Sequence, residues 1–177
     1  MRDLLQGLNI YLIGMMGSGK TTVGRHLAQN LGYSFIDTDA TIEAIAKQPI
    51  PAIFEESGEA SFRKLESQVL TELSTYTRAV ISTGGGIITS PNNWGYMRQG
   101  LVIWLDVDVE ILKQRVAQNQ NRPLASQLEA LLKERRPLYA QADLHVSPDM
   151  EQSPPEVAAL IRERIPSVIK SQATSNS

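Results

Sequence analysis

Short apolar runs alternate along this chain with longer segments whose apolar residues recur every three to four positions. Five runs read as strands: Ile10–Ile13, 34–36, Ala79–Ser82, Leu101–Leu105 and Leu144–Val146. Most are apolar at every position, which predicts burial on both faces, and the helical segments between them predict parallel crossover connections. The fold class that follows is α/β, a three-layer arrangement in which a central five-stranded parallel sheet carries helices on both faces.

The helical segments are marked at their ends. In TTVGRHLAQNLG, Val23, Leu27 and Leu31 are spaced by four and Gly32 stands as the C-terminal stop. SGEASFRKLESQVLTELSTY places Phe62, Leu65, Val69, Leu70 and Leu73 on one face and predicts the longest helix, with Ser57 or a neighbour as its cap. Ser90-Pro91 reads as a cap and first-turn proline of a short helix that runs through Met97 and is ended by Gly100. Asp108 caps a helix carrying Val109, Leu112 and Val116, and NQNRPLAS reads as a loop before a stripe of Leu128, Leu131 and Leu132. Pro155 opens a last helix built on Val157, Leu160, Ile161 and Ile165. From Pro166 onward apolar content is too low to pack, so residues 1–165 read as one domain and 166–177 as a disordered tail.

Composition narrows the function. Of 177 residues 42% are apolar, and 17 basic against 19 acidic residues give a net charge of -2 with no basic run, so neither nucleic acid nor a membrane surface is an expected partner. The absence of cysteine removes disulfides, thiolate zinc sites and thiol nucleophiles, and fits a reducing compartment, with the cytoplasm as the expected location. The first apolar stretch is interrupted by Gln6, Gly7 and Asn9 and runs into a phosphate-binding motif, which argues against a signal peptide. No apolar stretch is long enough for a transmembrane helix, and nothing marks a dimer surface, so a monomer is expected.

The motif is GMMGSGKTT, residues 14–22. Gly14, Gly19, Lys20 and Thr21 satisfy G-x-x-x-x-G-K-[ST] between a predicted strand and a predicted helix, the context the pattern requires. Backbone N–H groups from Gly17, Ser18, Gly19, Lys20, Thr21 and Thr22 are expected to cradle the phosphates of ATP or GTP, Lys20 to reach the β- and γ-phosphates, and the Thr21 hydroxyl to ligate Mg²⁺. The chain is short for a motor and lacks the N-K-x-D or T-K-x-D pattern of GTPases, which favours a small kinase, of a nucleotide or of a metabolite.

The acceptor side is less explicit. FIDTDATI sets Asp37 and Asp39 two apart at the end of the second strand, where a carboxylate could take a hydroxyl proton and another could serve the metal; alternatively Asp39 caps a helix over 41–46. Arg63 and Glu66, at i and i+3, read by themselves as a surface ion pair. ISTGGGIIT, after the third strand, lacks the Lys-Ser/Thr of a phosphate loop and so presents bare backbone at the sheet's C-terminal edge, where an acceptor could lie.

Taken together, GMMGSGKTT, FIDTD, IFEESGEASFRKLE, STGGGI, NRPL and ERRPLY, in this order and spacing, resemble shikimate kinase from about Asn9 to about Ile161. The resemblance implies a P-loop kinase fold with a lid, here over about 119–134, ATP and Mg²⁺ as cofactors, and shikimate as substrate. It implies Asp39 as base and hydroxyl ligand, with Lys20 and Arg122 also catalytic, Arg122 reaching the ATP phosphates from the lid, and Asp37 beside Thr21 at the metal. It further implies that Arg63, oriented by Glu66, and Arg135 hold the substrate carboxylate, and that Gly84, Gly85 and Gly86 contact shikimate; Arg136 is left to the surface or to packing. The region of Pro154 is similar to the family's adenine-side loop. His26, His145, Trp94 and Trp104 read as structural. Only twelve residues separate Arg122 from Arg135, fewer than the family's usual lid. The alternatives are another small-metabolite kinase, such as a gluconate kinase, and a weakly active binding protein of the same fold.

Overall fold

The computed structural model describes residues 2–118, 122–149 and 151–175, with side chains over 4–117, 127–149 and 151–169. Five strands, β1 (Ile10–Ile13), β2 (Ser34–Asp37), β3 (Ala79–Ser82), β4 (Leu101–Leu105) and β5 (Leu144–Val146), form one parallel sheet in the order β2-β3-β1-β4-β5. β1, β3 and β4 are buried at every position, as their uninterrupted apolar runs predict. β2 extends one residue further than its apolar run, to Asp37, because Asp37 pairs in register with Ser82.

Helices α1 (Arg2–Leu5), α2 (Lys20–Leu31), α3 (Thr38–Ala46), α4 (Ile50–Ser74), α5 (Pro91–Met97), α6 (Val109–Gln118), α7 (Arg122–Tyr139) and α8 (Pro154–Ser175) complete the described elements, with a 3₁₀ turn over Ile87–Thr89. Because strand side chains alternate, β1 sends Tyr11 and Ile13 to one face and Ile10 and Leu12 to the other. The first face packs on α4, α5, α6 and α7 through residues such as Phe62, Leu70, Met97, Leu112 and Leu128; the second packs on α2 and α8 through Val23, Leu27, Ala28, Val157 and Ile161.

Several element ends differ from the sequence expectation, each for a local reason. The helix expected over 41–46 begins at Thr38, and its cap is Asp37, whose carboxylate accepts from the N–H groups of Asp39 and Ala40. α4 starts before the predicted cap and is interrupted at Gly58, where φ of 75° and ψ of 168° break the helical path one residue beyond Ser57. α5 stops at Met97, closed by the Arg98 N–H on the Trp94 carbonyl; Gly100 instead lets the chain press against the backbone carbonyl of Asn9 as β4 enters beside β1. α7 begins at Arg122 within the stretch read as a loop, since Pro123 falls in the first turn, where its missing N–H costs no hydrogen bond. α8 continues past Pro166, with Val168 and Ile169 packed against the second core face; they follow Ile165 at helical spacing and extend its stripe.

The strand order also locates the crevice. β1 and β3 are neighbours, but the connection from β1 leads out to β2 while that from β3 crosses back to β4. Their loops therefore part at the C-terminal edge, the place where open α/β sheets bind ligands. The phosphate-loop motif follows β1 and the triple glycine follows β3.

Candidate active site

A cavity of about 700 Å³ opens there, lined on one side by residues 16–23 and on the other by Asp37, Asp39, Ser82, Thr83 and Gly85. Gly17 and Gly19 turn the loop with φ of 77° and 88°, and Gly19 is followed directly by α2, so N–H groups and a helix N-terminus face the cavity. Lys20 is folded back under the loop. Its Nζ donates to the carbonyls of Gly14 and Met15, both at 2.8 Å, and to Ser18 Oγ at 3.3 Å. Burial lowers its pKa to about 8 against the opposing pull of Asp39 and Asp37.

Thr21 and Asp37 meet at the mouth of the loop. The Thr21 hydroxyl donates to Asp37 Oδ2 at 2.7 Å, and Ser82 Oγ lies 3.4 Å from the same hydroxyl. Asp37 Oδ1 is committed to the cap of α3, at 3.0 Å from the Asp39 N–H and 3.3 Å from that of Ala40. The capping role considered for Asp39 therefore belongs to Asp37, and the Asp39 carboxylate is free of it. An arrangement of one carboxylate and two hydroxyl oxygens beside a phosphate cradle is a hard-oxygen donor set that fits Mg²⁺.

Asp39, in the first turn of α3, has a buried Oδ1 with no hydrogen-bond partner among the described residues, and Glu66 Oε1 is in the same condition. Both oxygens converge on Gly84: a Cβ there would lie 2.8 Å from each. Burial raises the pKa of Asp39, with Asp37 adding to the effect and Lys20 opposing it. Glu66 is raised by burial too, against the pull of Arg63. Arg63 Nη1 donates to Glu66 Oε2 at 2.8 Å and Nη2 to Glu59 Oε1 at 3.3 Å. Its guanidinium lies against Gly86 so closely that a side chain there would collide with it.

The triple glycine is thus hemmed in on both sides. The Gly84 N–H donates to the buried Thr38 hydroxyl at 3.1 Å. The Gly85 carbonyl accepts from Arg135 Nη1 at 3.2 Å and from the Tyr139 hydroxyl at 2.7 Å. Arg136 points away, paired with Asp106 at 2.9 Å and stacked over Trp104. The two arginines of ERRPLY are therefore divided, one toward the turn and one toward the surface. Arg122 opens α7, but its side chain lies outside the described residues. His145 rests edge-on against Trp104, outside the cavity.

The profile of the family described as shikimate kinase matches residues 16–166. The chain belongs to the shikimate kinase family. Among similar proteins, a shikimate kinase of Trichormus variabilis is 50% identical over 182 residues, covering 99% of this chain and 100% of the relative. A solved shikimate kinase from Acinetobacter baumannii, in complex with shikimate, superposes with a TM-score of 0.88 at 40% identity, covering 94% of this chain and 97% of that one. An APS kinase of Mycobacterium tuberculosis, at 14% identity and a TM-score of 0.58, shares the fold alone. Membership in the shikimate kinase family makes the protein an ATP-dependent phosphotransferase. Among the described residues, no helix is long and apolar enough to cross a membrane.

Three further residues contribute to the site without any motif of their own to mark them. Arg115 donates to the Gly17 carbonyl at 3.1 Å and lines the cavity together with Pro148, Gln152 and Pro154. A lone arginine inside an amphipathic helix carries no motif; only the docking of α6 beside the loop reveals it. Thr38 and Tyr139 lie inside FIDTD and ERRPLY beside charged residues, and both hydroxyls bond the triple glycine.

Proposed function

We propose that the enzyme transfers the γ-phosphoryl group of ATP to the 3-hydroxyl of shikimate, with Mg²⁺, giving shikimate 3-phosphate and ADP in the cytoplasmic route through chorismate to the aromatic amino acids. One observation carries the reading: Arg63 lies against Gly86 and Arg135 donates to the Gly85 carbonyl, so both guanidinium groups meet the triple-glycine turn, against which Asp39 also packs at Gly84. Two guanidinium forks and a carboxylate around one turn suit an acceptor bearing one carboxylate and a nearby hydroxyl.

In this reading the loop from Gly17 to Thr22 holds the triphosphate, and Lys20 turns from the carbonyls of Gly14 and Met15 to the β- and γ-phosphates. Asp39 accepts the proton of the attacking hydroxyl; burial raises its pKa, which makes its carboxylate a stronger base than an exposed one. Gly85 and Gly86, whose N–H groups have no partner among the described residues, face the acceptor, while Gly84 leaves room for Asp39 and Glu66. Thr21 and Asp37 would hold Mg²⁺, which supplies charge neutralisation on the phosphate oxygens. Arg122 reaches the phosphates from a lid of reduced length, and Arg115 with Pro154 borders the base of the nucleotide. Catalysis rests on alignment and charge stabilisation rather than on a covalent intermediate.

Phosphorus NMR of the product tests the regiochemistry. A single phosphate monoester coupled to the proton on ring carbon 3 is expected; phosphate on another hydroxyl contradicts the placement of Asp39.

A further inference from the structure

Tyr139 is the last residue of α7, fully buried, and its ring is stacked on Trp104 with centroids 5.7 Å apart. A phenylalanine would fill that space equally well. The hydroxyl is what distinguishes it, and a buried hydroxyl needs a partner. That partner is the Gly85 carbonyl, at 2.7 Å, and the same hydroxyl lies 3.5 Å from Met15 Sδ in the phosphate loop. Arg135 stands one helical turn earlier on the same face and donates to the same carbonyl at 3.2 Å. Both lone pairs of that oxygen are therefore filled from one helix.

We propose that Tyr139 is a positioning residue for the acceptor site, acting through the Gly85 carbonyl and Arg135. Peptide planarity gives the mechanism. In a trans peptide the Gly85 carbonyl and the Gly86 N–H point in opposite directions, so drawing the carbonyl toward α7 turns that N–H away from it. A run of three glycines resists peptide rotation poorly, having no Cβ to restrict it. The bond from Tyr139 supplies the missing restraint. It also leaves Arg135 with Nη1 anchored to the carbonyl and with Nε buried and without a hydrogen-bond partner among the described residues. Tyr139 thereby sets the orientation of two groups on either side of the acceptor.

The inference rests on the reading of Arg135 as a ligand of the acceptor carboxylate, so the experiment includes that residue. Tyr139→Phe, Arg135→Ala and the double variant are compared by steady-state kinetics with shikimate and ATP varied separately, alongside thermal melting. Phenylalanine keeps the ring and its stack on Trp104, so folding is retained. Loss of one neutral hydrogen bond predicts a rise in shikimate KM of about 3- to 10-fold for Tyr139→Phe, with kcat, ATP KM and melting temperature nearly unchanged. The double variant is expected to be no worse than the product of the two, and closer to Arg135→Ala alone. Tyr139→Phe kinetics equal to wild type, with Arg135→Ala impaired, overturn the inference and leave the reading of Arg135 intact. A parallel rise in both KM values with a fall in melting temperature overturns it as well, since that is the mark of a loosened core. An unchanged shikimate KM in Arg135→Ala overturns the reading of Arg135 and the inference with it.

Discussion

Arg63 Nη1 lies 2.8 Å from Glu66 Oε2, and Glu66 is 1% exposed. An i, i+3 pair on a helix surface contributes little, but this one buries its carboxylate against the triple-glycine turn and leaves the arginine one-quarter exposed. Glu66 thus holds the guanidinium from behind. Replacing Arg63 with Ala is expected to raise shikimate KM by about 10- to 100-fold, the worth of charge-assisted hydrogen bonds, while leaving ATP KM unchanged. Kinetics with each substrate varied in turn check this.

The same substitution carries a pH signature. Burial already raises the Glu66 pKa, and removal of Arg63 deletes the main force that opposes it. A carboxyl with a raised folded-state pKa releases its proton more readily when unfolded, so stability is lost as pH rises from the ordinary glutamate value through the folded one. Urea unfolding of Arg63→Ala should therefore weaken more steeply with rising pH than wild type does. A pH-independent difference between the two would count against a buried Glu66.

Gly84→Ala is predicted to separate activity from folding. Its Cβ would stand 2.8 Å from Asp39 Oδ1 and Glu66 Oε1, and the carboxylates must move before the backbone does. Displacing the proposed base by a fraction of an ångström to an ångström is expected to lower kcat by roughly 100-fold, with only a modest change in melting temperature. Turnover close to wild type would show that Asp39 does not need its present position.

How much of this was legible beforehand follows from the range of each signal. The five strands and the phosphate loop were local patterns, and the structure has all five strands within a residue of their expected bounds. Asp37 and Asp39 were visible as a pair, but which of them caps α3 depends on where the helix starts, and that is set by the pairing of Asp37 with Ser82 on another strand. The burial of Glu66 depends on α4 docking under a turn of the chain near residue 84, which helical spacing alone does not contain. Arg115 and Tyr139 contribute through contacts with residues 98 and 54 positions away, beyond the reach of any local pattern.

Lys20 predicts a pH limit on nucleotide binding. In the free enzyme burial brings its pKa down to about 8, whereas phosphates in the loop would favour the charged form. The protonated lysine binds and the neutral one does not, so ADP affinity should be steady below about 8 and fall by about tenfold per pH unit above it until the bound-state pKa is reached. Calorimetric titration of ADP across that range measures the slope. Adenosine, lacking phosphates, should show none.

Asp39→Asn keeps the size of the side chain and removes its basicity. Loss of a general base typically costs about 10²- to 10⁴-fold, and kcat is expected to fall within that range while ATP KM holds. A single-turnover measurement places the effect on the chemical step rather than on product release.

The central claim is that this crevice phosphorylates an acceptor recognised by its carboxylate and ring hydroxyls. A coupled ADP-release assay with ATP and Mg²⁺, run without acceptor, with shikimate and with gluconate, tests it most directly. Release that depends on shikimate and, at shikimate well below KM, falls by about 10- to 100-fold in Arg63→Ala is the predicted result; release stimulated by gluconate and indifferent to shikimate would contradict it.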